Sequence, residues 1–282
     1  MNADDFGLTA GVNRAIAELH RAGIVTSASL MARAFATNEA IELARSMPTL
    51  GMGCHVDLVD GEPVLPADQI PTLVDRRTGG FLRSLGVFLP RLFTGRIRSA
   101  EIEAEAAAQI ALLKRKGVRL THVDTHKHTH VFSAVLRPVL RAAAAAGIRA
   151  IRHPFEPAWA VHATPRASFV RIAEITALRT LDPRFRRTLA QAGFATTDGT
   201  IAMAGTGTLD GSALRSLLKK LPAGTWELVT HPGYNDAELA KVDTRLRASR
   251  EVERQALQAI REFPALELVS FADLAEPSRA AD

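Results

Sequence analysis

"SAEIEAEAAAQIALLKRKGVRLTHVD", residues 99–124, is the stretch on which the architecture turns. Its spacing predicts a helix: Ser99 as the N-cap, glutamates in the first turn, Lys114 and Arg115 in the last, and Gly117 as the stop. Directly after the glycine, "RLTHVD" ends on polar side chains as a short strand does. A helix and a strand separated by so little chain form half of a βα unit. Such units, joined by short connections, build a parallel sheet.

The same rhythm extends in both directions. Upstream, a helix over 11–22 places Val12, Ala15, Ile16 and Leu19 on one face and is followed by the strand "GIVTSASLM" (23–31). A helix from an N-cap at Thr37 to Ser46 then leads into "LGMGCHV" (50–56). Downstream come an alanine-rich helix over 133–146, the strand "IRAIR" (148–152) and a helix over 166–179. The strands "GFATT" (193–197) and "WELVTH" (226–231), a charged helix over 243–261 and a last strand, "LELVSF" (266–271), complete the series. Roughly six or seven such units with no doubly wound glycine fingerprint predict a single-domain α/β fold, a distorted (β/α) TIM-like barrel. The barrel is expected over 1–274 and a disordered tail over 275–282.

Composition narrows the function classes. With 47% apolar and 23% charged residues, the chain can bury a large core and is not a disordered polymer. A single cysteine, Cys54, excludes an internal disulfide, and no signal-peptide pattern precedes the first motif, so a cytoplasmic location is expected. No apolar stretch reaches about 18 residues, which excludes a membrane-spanning helix. A net charge of +5 and a pI near 9.9 favour an anionic partner without selecting one. No basic stripe with readout residues accompanies that charge, so nucleic acid is not expected.

In a (β/α) barrel, polar residues at the C-terminal ends of strands face the site. Four such places stand out: Asp4 and Asp5 in "NADDFGL", His55 in "GCHVDL", the run "THVDTHKHTH", and His231 in "THPGYND". Adjacent carboxylates repel each other unless they are solvated or lie beside a cation. In the histidine run, a strand's period of two sets His122, Asp124 and His126 on one face, whereas a helix sets His126 and His130 one turn apart. Either arrangement gathers imidazoles. The bland alternative is a solvated histidine-rich loop. Density argues instead for a metal site. An acid from one strand end with imidazoles from two others leaves open positions for water, and a cation bound by one aspartate lets its neighbour act as a general base.

Other residues are read more plainly. A lone histidine at a strand end, as at His55 or His231, is ordinarily structural, and only convergence argues for function. Cys54 is expected on the face opposite His55 as a small core residue. Glu101, Glu103 and Glu105 read as an acidic helix N-terminal face. His20, His153 and His162 carry no pattern.

"NADDFGL", "GIVTSASLM", "GCHVDL", "THVDTHKHTH" and "THPGY", in that order and at these intervals, resemble the YdjC-type carbohydrate deacetylases, whose fold is a distorted (β/α) barrel. "GEPVLPADQIPTLVD" and "GIRAIRHPFEP" further resemble the hopanoid-biosynthesis, HpnK-like branch, which is thought to deacetylate an N-acetylglucosaminyl hopanoid lipid. The resemblance implies a metal-dependent hydrolase with Asp5, His55 and His126 as ligands of one divalent ion. Mg2+ or Zn2+ fits such a set, with Mn2+ or Co2+ compatible. It further implies Asp4 as general base, His231 as acid, Arg152 beside the base, and a substrate that is an amino sugar or glycolipid. Chitooligosaccharides are the alternative substrate, and a homodimer is compatible with the family pattern. Family members carry a longer apolar lead before "NADDFG" than Met1 alone, so a short first strand is expected.

Between Arg76 and Arg98, "RRTGGFLRSLGVFLPRLFTGRIR" interleaves arginines with apolar side chains. This insert is expected either to fold over the barrel mouth as a lid or to meet an anionic membrane at its inner face. His128, His130, Phe88 and Phe93 are the candidate substrate contacts. Two rivals remain at this level. A metal-dependent amidohydrolase or phosphoesterase usually carries its HxH at the first strand, where this chain has acids. A non-enzymatic lipid-binding protein with an idle metal site tolerates loss of His126.

Overall fold

The computed structural model describes residues 1–165 and 167–275. Six parallel strands, β1 (Asn2–Phe6), β2 (Ser27–Leu30), β3 (Gly51–Val56), β4 (Leu120–Thr125), β5 (Gly199–Ile201) and β6 (Trp226–Thr230), form a curled sheet in the order β4-β3-β2-β1-β6-β5. Between and around them run α1 (Ala10–Arg21), α2 (Thr37–Ser46), α3 (Leu85–Phe93), α4 (Ser99–Arg115), α5 (Ser133–Ala145) and α6 (Ala158–Ala163). The remaining helices are α7 (Phe169–Arg179), α8 (Asp182–Ala192), α9 (Gly211–Leu218), α10 (Ser249–Ala256) and α11 (Phe271–Ala275). The result is the expected single-domain α/β fold, a half-barrel of parallel strands. The five-residue β1 pairs with β2 through Asn2, Ala3 and Phe6 and with β6 through Asn2 and Ala3, so the first strand sits at the sheet centre.

Strand alternation sorts the two faces. Ala3, Ala28, Leu30, Cys54 and Val123 join the hydrophobic core under the helices, which places Cys54 as expected. Asn2, Asp4, Ser29, His55, His122 and Asp124 are buried too, and they line the concave interior. There Gly53 makes room: a Cβ at that position would collide with the His122 imidazole. Phe271 closes the bottom by stacking on His122, with centroids 4.0 Å apart and planes at 15°.

Several elements differ from expectation. "IRAIR" and "GFATT" pair only through the bridges Val123 to Ile151 and Ala150 to Ala195, so the far side of the barrel is held by single residues rather than ladders. "LELVSF" forms no strand, because its partners are side chains. The Thr26 hydroxyl donates to the Val269 carbonyl (2.7 Å) and the Phe271 N–H donates to Ser27 Oγ (3.1 Å), after which the chain turns into α11. The charged helix over 243–261 is shorter, with α10 followed by a 3-10 segment, Leu257–Glu262. Neither Ser99 nor Thr37 is an N-cap. Both are the first helical residue, and Thr37 Oγ1 instead accepts from the Ala34 N–H (2.8 Å). Apart from Ala275 at the end of α11, the tail expected over 275–282 lies outside the described residues.

The acidic face of α4 also has a different role. Glu101 accepts from the Thr72 N–H (2.7 Å), and Glu105 accepts from the N–H groups of Val64 (2.8 Å) and Leu65 (3.0 Å). These two buried carboxylates thus satisfy the backbone of the segment that precedes α3. Glu103 alone stays at the surface, paired with Arg141 at 2.7 Å. Within the arginine-rich insert, Phe81, Leu82 and Phe88 are buried in the core, while Val87 and Phe93 are exposed. Phe88 is therefore a packing residue rather than a substrate contact: its ring has no accessible surface.

Candidate active site

Asp4 and Asp5 are adjacent on a strand, so regular pleating would send their carboxylates to opposite faces. Asp5 instead adopts φ 63°, and the β1–β2 register shifts between Ala3 and Phe6. This left-handed residue turns both carboxylates toward the interior mouth. Gly7 follows at φ 98°, and its N–H donates to Asn13 Oδ1 (2.7 Å), which fastens the turn to α1.

His55, at the end of β3, brings Nε2 to 3.6 Å from Asp5 Oδ1. His126 follows β4 in a 3-10 turn, and its Nδ1 lies 3.5 Å from the same oxygen and 3.3 Å from His55 Nε2. Three donors bonded to one ion at roughly 2.1 Å in tetrahedral directions stand roughly 3.4 Å apart, so the set fits a divalent cation. The groups behind His55 fit as well. His55 Nδ1 faces Asp124 Oδ1 at 2.9 Å, and Ser29 Oγ donates to Asp124 Oδ2 (3.0 Å). A carboxylate behind a histidine fixes its orientation and leaves the outer nitrogen for metal.

Electrostatics agree with this arrangement. Burial disfavours the charge of His55, yet the Asp124 carboxylate outweighs it and raises the imidazole to about 9. Burial opposes ionisation of Asp5 too, but Arg250, with Nη2 2.5 Å from Asp5 Oδ2, and then His126 hold it well below the usual carboxylate range.

Asp4 is gripped by Arg152, whose Nη1 donates to Oδ2 (2.8 Å) and Nη2 to Oδ1 (2.6 Å), and by Asn2 Nδ2 (2.9 Å). Arg152 is fully buried and also contacts Asp124 and Glu227. It therefore reaches the site only through these carboxylates. His231, after β6, points Nε2 at Asp4 Oδ2 across 3.9 Å.

The remaining histidines separate. The backbone turns left-handed at Lys127 (φ 54°) and His128 (φ 51°), so the run after His126 is neither strand nor helix. His130 is buried, with Nδ1 2.7 Å from the Thr125 hydroxyl and Nε2 3.3 Å from the Arg152 carbonyl; this corrects its reading as a substrate contact. His128 keeps Nδ1 without a hydrogen-bond partner. Phe93 stays exposed, edge-on to Phe132 at 5.1 Å. His122 belongs to the barrel floor, and burial lowers its imidazole to about 3.

Sequence reasoning missed Arg250 and Glu253. Both lie on α10, within the stretch read only as a charged helix, and they are buried three residues apart on one face.

An acid-and-imidazole cluster with the spacing of a candidate metal site thus lies at the C-terminal mouth of a parallel α/β half-barrel. The chain belongs to the YdjC-like protein family, whose model matches residues 1–265. It is 33% identical over 257 residues to a carbohydrate deacetylase of Thermoanaerobacter pseudethanolicus, covering 91% of this chain and 89% of that protein. It is 41% identical over 143 residues to one of Brevibacillus brevis, covering 51% of this chain and 54% of the relative. A crystal structure described as a putative cellobiose-phosphate cleavage protein from Enterococcus faecalis superposes with a TM-score of 0.74 at 26% identity, over 98% of this chain and 97% of that one. Among the described residues, no helix is long and apolar enough to cross a membrane.

Proposed function

We propose that this protein is a metal-dependent carbohydrate N-deacetylase that hydrolyses the acetamide of an N-acetylglucosamine-containing substrate. One observation carries the reading: Asp5, His55 and His126 bring three ligand atoms to metal-site spacing, and the neighbouring Asp4, held by Arg152, has His231 Nε2 3.9 Å from its Oδ2. A divalent cation held by those three residues supplies Lewis acidity toward an amide carbonyl and a water. Asp4, its two oxygens fixed by Arg152 and Asn2, takes the proton from the attacking water. His231 gives a proton to the departing amine. Arg152 works through Asp4, because it has no exposed atom to offer a substrate. His128, half-buried in the turn after β4, is the side chain proposed to contact the sugar.

The favoured substrate is an N-acetylglucosaminyl hopanoid lipid. Supporting it are the "GEPVLPADQIPTLVD" and "GIRAIRHPFEP" stretches and the exposed Val87 and Phe93 of α3, set among arginines, which suit an apolar aglycone at an anionic membrane face. The test is mass spectrometry of metal-loaded protein incubated with N-acetylglucosaminyl lipids and with chitooligosaccharides. Loss of one acetyl group from the lipid supports the reading, and loss only from chitooligosaccharides redirects it. No loss from either removes it. Flotation with anionic vesicles at low salt tests the membrane contact, which a protein left at the bottom of the gradient contradicts.

A further inference from the structure

We infer that Glu253 is the positioning residue for His231, an inference that rests on the deacetylase reading for its catalytic meaning but not for its geometry. Glu253 lies on α10, buried, and reaches the residue that follows β6 in two ways. Its Oε2 accepts from the His231 N–H (2.7 Å) and lies 3.8 Å from His231 Nδ1, within ion-pair reach. Its Oε1 accepts from the Gly207 N–H (3.4 Å), which ties the carboxylate to a second loop.

The consequence is directional. With a carboxylate behind Nδ1, the proton on that nitrogen is held toward Glu253, and Nε2 is turned to Asp4 Oδ2 across the 3.9 Å gap. One turn of α10 braces both halves of the site, since Arg250, three residues earlier, contacts Asp5. The backbone supports the same placement, because the Gly233 N–H donates to the Arg250 carbonyl (3.2 Å) and pins the loop that carries His231 to α10.

The charged and titratable groups around His231 are Asp4 and Asp5 from β1, His128 from the turn after β4, and Glu253 and Arg250 from α10. Burial lowers the proton affinity of His231, and Glu253 first, then the two aspartates, overcome that loss and raise it. Replacing Glu253 by Gln keeps an acceptor for the His231 N–H and removes the charge. The imidazole then gives up its proton at lower pH.

In metal-loaded protein, we expect E253Q to lower kcat about tenfold or more with KM nearly unchanged, and to move the alkaline limb of the rate profile to lower pH by about one unit. Glu253→Asp, which restores the charge, is expected to recover most of that displacement. Imidazole 15N shifts across a pH series, with His231 assigned by its loss in H231Q, report the same change without any substrate. An unmoved His231 titration in E253Q overturns the inference whatever the activity. So does a rate loss with an unmoved alkaline limb, which would make Glu253 a scaffold residue. Wild-type protein that deacetylates nothing, while its His231 titration still responds to E253Q, sinks the deacetylase reading and leaves the positioning intact.

Discussion

Asp4 and Asp5 are chemically identical neighbours, and their surroundings alone give them different work. Asp5 aims Oδ1 at two imidazole nitrogens, 3.6 and 3.5 Å away, while both Asp4 oxygens are taken by the Arg152 guanidinium at 2.6 and 2.8 Å. Arg152 takes both oxygens of Asp4, whereas Arg250 takes only Oδ2 of Asp5 and leaves Oδ1 toward the imidazoles, which makes Asp5 the better placed ligand. Asp4→Asn is therefore expected to keep the metal, measured by elemental analysis after dialysis, while kcat falls by about 10² or more. Asp5→Asn is expected to lose the metal. An Asp4→Asn protein that comes out of dialysis metal-free would mean the two roles are reversed. The pairing of acid and imidazole was legible in the sequence because strand ends in a parallel barrel converge by topology. The left-handed turn at Asp5 was not, since no local pattern marks a non-glycine residue for φ 63°.

Elements whose partners are close in sequence were the legible ones. The helix ending before Gly117 and the strand after it follow from local periodicity, and the observed α4 and β4 lie within a few residues of that reading. "IRAIR" and "LELVSF" have strand-like composition, yet one finds partners for two residues only and the other pairs with side chains of Thr26 and Ser27. Long-range neighbours decide such cases, and composition carries no trace of them. The same holds for Glu101 and Glu105 of α4 and for Arg250 and Glu253 of α10, charged residues that are buried. Glu105 gives the sharpest test. Truncating it to Ala strips the acceptor from the Val64 and Leu65 N–H groups, both bonded to it now, and leaves Gln109 short of a partner. Unsatisfied buried donors cost about 1–3 kcal/mol each, so E105A should lose about 2 kcal/mol or more in urea unfolding. Glu105→Gln, which retains one acceptor oxygen, should lose less. Equal and negligible losses in both variants would show that water can reach these amides.

At the scale of the whole molecule, a proton on His55 would compete with a cation at the proposed centre. His55 is raised from 6.5 to about 9, so its contribution to stability is complete below about 6.5 and is lost as pH climbs through 9. Glu156 and Glu227, both pushed up to about 7 by burial, bind protons more tightly when folded and also lose stability as pH rises toward 7 and past it. The buried Met1 amine, lowered to about 6 chiefly by desolvation, opposes them between roughly pH 6 and 8. Between pH 8 and 9 the opposition from Met1 fades, and the Cys54 thiol, pushed up by burial, adds loss in the same direction as His55. The metal-free protein should therefore melt at progressively lower temperature from pH 8 to 9. Metal reverses the trend. A cation needs the His55 Nε2 lone pair, so each unit of pH below 9 should weaken binding by up to about tenfold through that one proton. The gain in melting temperature on adding zinc or magnesium to chelator-treated protein should accordingly grow from pH 6.5 to 9. In H55Q the gain should be small at every pH. A wild-type gain that is flat or shrinks over this range would mean that His55 is not a ligand, and that the Asp5, His55 and His126 cluster is an ion-pair network rather than a metal site.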